Sequence, residues 1–191
     1  MAKELERLVL PELYKYFNQP TMKEHLRMVA WWGHSFETWL KFEMVFALEP
    51  LMQTMKGVPW EYEEWDMERR RKGLGQVDLF FGGANPLYLQ LKVCIPCWGY
   101  NPKFCAGRNS MLEDIENVQA HSGGAAACLL FTLEHPGAEM AFEQNGFPPP
   151  EGDHKRRIEL GKTWCDACCY RDEDVEKQEM YARFYYWTNG L

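Results

Sequence analysis

The sequence predicts an α/β domain with a central mixed β-sheet flanked by helices, and three stretches carry that expectation. Residues 75–93 alternate apolar and polar side chains on either side of a Gly-Gly-Ala-Asn-Pro turn, the pattern of a β-hairpin. Residues ~21–56 repeat apolar side chains at helical spacing, with a break expected near Gly33. A helix signal at residues 110–113 is followed by the apolar run Ala125 to Leu133, which suits a central strand buried on both faces. Strand, helix and strand in that order form a right-handed crossover between parallel strands.

The remaining elements follow in order. Residues ~3–17 read as a helix, with Leu5, Leu8, Leu10 and Leu13 recurring and Pro11 interrupting. Val58 to ~Glu68 reads as a strand, because Trp60, Tyr62 and Glu64 alternate with Glu61, Glu63 and Trp65. In the hairpin, Val77, Leu79 and Phe81 share one face and Gln76, Asp78 and Phe80 the other. On its second strand Leu87, Leu89, Leu91 and Val93 form an apolar face, with Tyr88, Gln90 and Lys92 opposite. A loop at 82–86 sets Phe81 against Leu87 and Asp78 against Gln90, with Cβ atoms about 4.5–5.5 Å apart. Residues 94–108 form an irregular connection rich in Pro, Gly and Cys. Ser110-Met111-Leu112-Glu113 is a capping box, the buried stripe is Leu112, Ile115 and Val118 or Gln119, and Ser122-Gly123-Gly124 ends the helix. Residues ~134–157 are expected as a long loop, and Met180 to Trp187 as a last strand. The chain therefore reads as one domain over 1–191, with an N-terminal helical segment at ~1–32 and a loop-rich C-terminal extension at ~134–191.

Composition narrows the class. A chain of 191 residues with 46% hydrophobic and 15% aromatic content has a real core to bury. The net charge of −7 argues against an obligate nonspecific nucleic-acid binder. A local basic rim is still available at Arg69-Arg70-Arg71-Lys72 and at Lys155-Arg156-Arg157, each of which reads equally well as a solvated loop run. No apolar span reaches membrane length, and the N-terminus has acids where a signal peptide has its apolar stretch, so a cytoplasmic protein without a membrane partner is expected. Seven cysteines in that setting read as thiols or metal ligands rather than disulfides. Gly-x-Ser-x-Gly, a P-loop and a dinucleotide fingerprint are all absent.

The chemistry gathers on the polar face of the hairpin. Asp78, Gln90 and Lys92 put an acid, an amide oxygen and an ammonium on one patch, a set able to hold a metal ion and a phosphate. A further acid is expected from the helix over ~34–49. At about 100° per residue from Phe36, Glu43 points at about 340°, among Phe36, Trp39, Leu40 and Ala47. Glu37 points at about 100°, where Lys41 pairs with it at the surface. A carboxylate on an apolar face needs a partner, so Glu43 is the expected site acid, with Glu37 in reserve.

An acid on one strand, Gln-x-Lys on the next, a Glu on a preceding helix and a following helix–strand unit together resemble the PD-(D/E)xK nuclease superfamily in a variant with Gln for the first acid of the second motif. The resemblance covers residues ~30–133. It implies a restriction-endonuclease-like α-β-β-β-α-β core and a metal-dependent nuclease that hydrolyses phosphodiester bonds, DNA before RNA. Glu43, Asp78 and Gln90 would hold Mg2+ or Mn2+, and Lys92 would stabilise charge on the phosphate. Because Gln90 is neutral, a catalytically silent nuclease-fold protein that binds nucleic acid or a protein partner stays open.

A third reading makes the hairpin an ordinary half-exposed sheet face in a zinc-stapled interaction domain. Cys94-x-x-Cys97 and Cys165-x-x-Cys168 have the spacing of a tetrathiolate Zn2+ site, with Cys105 a further candidate. Against it, alternation puts Cys94 on the face of Lys92. The sequence leaves a homodimer open.

Overall fold

The computed structural model describes residues 5–32, 36–54, 61–71, 75–82, 86–94, 106–136, 142–143, 146–152, 155–163 and 178–190. A π-helical turn, Leu5–Val9, runs directly into helix α1, Leu10–Phe17. Pro11 falls in the first turn of α1, where its missing N–H has no intrahelical acceptor to serve. The expected interruption is thus a change of helix type rather than a gap. Helices α2, Pro20–Trp32, and α3, Glu37–Thr54, divide the long helical pattern at the expected place. The strands are β1, Glu61–Arg71; β2, Gly75–Gly82; β3, Leu87–Cys94; β4, Ala125–Glu134; β5, Ile158–Thr163; and β6, Gln178–Thr188. Helix α4, Ala106–Ala120, lies between β3 and β4. Among the described residues no helix is long and apolar enough to cross a membrane.

The six strands form one mixed sheet in the order β1-β2-β3-β4-β6-β5. β3 and β4 are parallel, and every other neighbouring pair is antiparallel. The α/β class and the helix-flanked mixed sheet read from the sequence are what the chain adopts.

Four boundaries differ from expectation, each for a local reason. β1 runs on to Arg71, past its expected end, so Arg69, Arg70 and Arg71 are paired with Val77, Gln76 and Gly75. They prolong an edge strand, where charge discourages further pairing, instead of forming a loop. α4 begins at Ala106, so the expected capping box at Ser110 lies a turn inside the helix. Its buried stripe is Met111, Ile115 and Val118, while Leu112 is half-buried and Gln119 exposed. β5 is a strand the sequence pattern hid: Ile158 and Leu160 are buried in alternation, but a register shift before Gly161, at φ +72°, breaks the period. Finally, the stretch expected as a loop-rich extension adds β5 to the main sheet beside the expected last strand, β6.

The loop ahead of β5 is itself tied to β6. Glu151 N–H donates to the Tyr186 carbonyl at 2.9 Å, and the Glu151 carboxylate accepts from Thr188 N–H at 2.6 Å. Trp187 Nε1–H donates to the Pro148 carbonyl at 3.0 Å. Gly152 follows at φ +85°, with Tyr186 Oη only 2.6 Å and Glu6 Oε1 2.7 Å from where a Cβ would stand. Only glycine lets the backbone come down there.

The two faces of the sheet bury separate cores. On one, Leu13, Phe17, Leu26, Leu40 and Met44 from α1, α2 and α3 pack on Leu89, Leu91, Leu129, Phe131 and Phe184. On the other, Met111, Ile115 and Val118 of α4 pack on Phe80, Tyr88, Ala126, Leu130 and Trp187. Phe131 is fully buried, with the rings of Phe17, Phe36 and Phe184 at 5.8, 5.9 and 4.8 Å. Truncating it removes contacts with three elements at once. Phe131→Ala is expected to cost about 3–5 kcal/mol, whereas Phe42→Ala, at a side chain 52% exposed, should stay within about 0.5 kcal/mol. Urea unfolding midpoints at unchanged m check both.

Candidate functional site

The site forms where the sheet splits. The registered pairs between β2 and β3 run from Phe81↔Leu87 to Leu79↔Leu89. Beyond that point β2 stays with β1 as far as Gly75, and β3 stays with β4 as far as Cys94. The expected Asp78↔Gln90 pair is therefore one step past the last registered one. In its place the Asp78 carboxylate bridges the fork: Oδ2 accepts from the Leu91 N–H at 2.6 Å. Val77, expected on the face of Leu79, belongs to the α4-side core, as the splayed strand allows.

Both predicted residues of the fork are buried. Asp78 is 9% and Gln90 5% exposed. A half-exposed sheet face with its polar groups in water is thus not what the chain builds.

The helical acid is not the one the angular argument selected. Glu43 is half-buried, and its Oε2 accepts from Tyr16 Oη–H at 2.7 Å, a partner on α1 rather than in the fork. Glu37, in the first turn of α3, shares the electrostatic environment of Lys92, Asp78, Lys41 and Asp114. Its carboxyl is pushed up by burial, with Asp78 and Asp114 adding to the rise and Lys92 and Lys41 opposing it.

Lys41, expected at the surface beside Glu37, is buried and reaches across the helix–sheet interface. Its Nζ–H donates to Asp78 Oδ1 at 3.0 Å. The rotation has a clear origin. α3 carries Phe42 and Phe46 on its exposed side, so apolar residues do not mark one face of this helix. The buried positions are Phe36, Leu40, Lys41, Met44, Ala47 and Leu48.

Lys92 closes the far side. Its Nζ lies 3.0 Å from Asp114 Oδ2 on α4, with both side chains about one-fifth exposed at 22% and 19%. Burial alone would lower the Lys92 ammonium. The Asp114 hydrogen bond and charge, with Glu37 and Asp78, outweigh that and raise it, so Lys92 is held protonated. The Asp114 carboxyl is raised by burial first; Lys92 opposes this, and Asp78 and Glu113 add to it. Cys128, paired with Gln90 across β3 and β4, is buried in the same field, and its thiol is raised far above the ordinary range. It is a core residue, not a nucleophile.

Asp114 was legible by the reasoning applied to Glu43. It stands three residues after Met111 and four before Val118, an acid on the buried stripe itself. Setting the stripe on Leu112 hid it.

Among the described residues the fork thus brings three carboxylates, Glu37, Asp78 and Asp114, into the field of two ammoniums, Lys41 and Lys92. Burial is the first cause of the upward shift of both Glu37 and Asp114, and the neighbouring carboxylates add to it. Of the zinc candidates only Cys94 belongs to the described residues; it packs against the α4-side core. Cys97, Cys105, Cys165 and Cys168 lie outside them.

The Glu43 contact has its own signature. Burial, then the hydrogen bond to Glu43 and its charge, push the Tyr16 hydroxyl up to about 12. An unfolded tyrosine ionises near about 10. The folded state keeps its proton longer, so this contribution to stability is full below about 10 and is lost as pH rises from there to about 12. Glu43→Gln should bring the Tyr16 phenolate transition back toward its ordinary position, read as the ultraviolet titration difference against Tyr16→Phe. A transition that does not move would remove Glu43 as its partner. Comparison of the chain with protein-family models, with curated proteins and with solved structures finds no match, so the reading of this site rests on its own geometry.

Proposed function

We propose that the chain hydrolyses phosphodiester bonds of nucleic acid, DNA before RNA, at a restriction-endonuclease-like site made of Glu37, Asp78, Gln90 and Lys92. The observation that carries this reading is the burial of Asp78 and Gln90 at the fork, beside Lys92 and in the field of Glu37. The element order supports it: helix α3, the antiparallel run β1-β2-β3, helix α4, then β4 parallel to β3. That is the α-β-β-β-α-β succession the resemblance implies. Glu43 leaves the proposed set, and Glu37 takes its place.

The donors fit Mg2+ or Mn2+ in kind. Asp78 and Glu37 offer hard carboxylate oxygens and Gln90 an amide oxygen. Among the described residues no three His, Cys, Asp or Glu side chains gather closely enough to hold an ion alone. Mg2+ is ordinarily held by one or two carboxylates and keeps several waters, so a sparse set suits it. When bound, such an ion supplies polarisation of the scissile phosphate and a more acidic water.

The protein's own groups do the rest. The Leu91 N–H fixes one oxygen of Asp78 on the β3 backbone. Asp114 orients Lys92 and keeps its ammonium charged, so the cation stands ready for negative charge that develops on the phosphate. α4 and the β3 backbone keep bulk water from the floor of the pocket, which strengthens each of these interactions.

A second reading has a specific observation in its favour. Asp78 already has Lys41, and Lys92 already has Asp114. A site whose charges are satisfied internally, with neutral Gln90 between them, suits a silent relative that binds without cleaving. Supercoiled-plasmid nicking with Mg2+ or Mn2+ separates the two. The nuclease is expected to nick, to stop in EDTA, to stop with Asp78→Asn, and to slow by about 10²–10³-fold with Lys92→Met. Asparagine is chosen because alanine would strand the Lys41 ammonium in the interior. A silent wild type that Gln90→Glu switches on establishes the second reading. No metal-dependent nicking by either protein removes the nuclease.

A further inference from the structure

We infer that Lys41 is a built-in competitor for the divalent cation, so that the ion binds only by displacing this ammonium from Asp78. The inference rests on the metal-dependent reading above and goes beyond it in assigning a residue that the sequence pattern placed at the surface.

Three observations carry it. The Lys41 side chain is 8% exposed and lies 3.0 Å from Asp78 Oδ1. An ammonium that far from water persists only against an opposite charge. The other Asp78 oxygen, Oδ2, is committed to the Leu91 N–H. Oδ1 is thus the oxygen not fixed on the backbone, and Lys41 is on it. Any ion that uses Asp78 arrives within a few ångströms of a buried like charge.

The charge inventory points the same way. Among the described residues, Glu37, Asp78 and Asp114 against Lys41 and Lys92 give one negative charge. A divalent ion added with both ammoniums in place would turn that into one positive charge in a poorly hydrated pocket. With Lys41 expelled the pocket becomes neutral. Gln90 sharpens the choice, because an acid at that position would have accommodated both cations. Lys92 is not the displaced group, since Asp114 holds it on the opposite side.

Mn2+ alone is the probe, titrated by calorimetry into the metal-free protein, with no nucleic acid and no turnover. Lys41→Gln is expected to bind Mn2+ at least about tenfold more tightly than wild type, roughly the effect of one relieved charge repulsion. Lys41→Arg keeps the charge and adds a forked donor set, and should bind no more tightly than wild type. Lys41→Gln leaves Asp78 without its partner, so the metal-free variant should melt lower and gain more in melting temperature per addition of Mn2+. If that variant does not fold without metal, Lys41→Arg decides, and tighter binding by it overturns the inference. Equal or weaker Mn2+ binding by folded Lys41→Gln, with wild-type binding still lost in Asp78→Asn, overturns the competitor role and leaves the proposed function standing. Mn2+ binding that is absent from both proteins, or insensitive to Asp78→Asn, overturns the metal site and the inference with it.

Discussion

The parallel ladder between β3 and β4 is the constraint on which the site depends. It is registered over the whole of β3, from Leu87↔Ala125 to Cys94↔Thr132. Because β4 holds β3 straight to its end, β2 can leave it after Leu79 without unravelling the sheet. The strand period then does two things at once. Leu89 and Leu91 point to the helical layer of α1–α3, and Gln90 and Lys92 point beneath α4. The departure of β2 opens a gap, and Asp78 fills it with a carboxylate on the Leu91 N–H. α3 can then reach Asp78 with Lys41, and α4 can reach Lys92 with Asp114.

Much of this was legible in the sequence, and the failures share one cause. Period-two alternation located β2 and β3, and the apolar run located β4, because each strand is buried along most of its length. The break near Gly33 separated α2 from α3. Rotation of the helices about their own axes was not legible. α3 has large apolar side chains on its exposed side, so an angular argument centred on Phe36 chose Glu43 and put Lys41 in water. α4 begins upstream of its apparent cap, so its stripe was set one residue late and Asp114 was overlooked. β5 was lost to the bulge before Gly161. In each case tertiary packing decided between local patterns of similar strength.

The composition of the pocket is hard to explain by stability alone. A structural buried acid in this same protein looks different. Glu134 is fully buried, and it accepts from the hydroxyls of Thr132 at 2.6 Å and Tyr185 at 3.0 Å, with Arg183 at 3.4 Å. Its neighbours among these contacts are two hydroxyls and a guanidinium, with no second carboxylate. The fork instead brings five charged side chains, among the described residues, into one another's field beside a buried neutral amide. Buried ion pairs rarely stabilise a fold better than apolar residues of the same size. Perturbed, mutually interacting acids cluster at functional sites, and that tendency supports the proposed reading.

The stitching of the N-terminal segment to β6 has a consequence for the order in which the molecule is made. Tyr186 Oη–H donates to Glu6 Oε1 at 2.5 Å, Gly152 makes room for that contact, and Tyr14 Oη accepts from the Phe184 N–H at 3.3 Å. These partners are separated by 180 and 170 residues. The helical layer that carries Glu37 and Lys41 therefore has only part of its seat while the ribosome is still at work, and contacts of such long range are slow to close. Until β6 has emerged between β4 and β5, the N-terminal segment lacks both of these contacts.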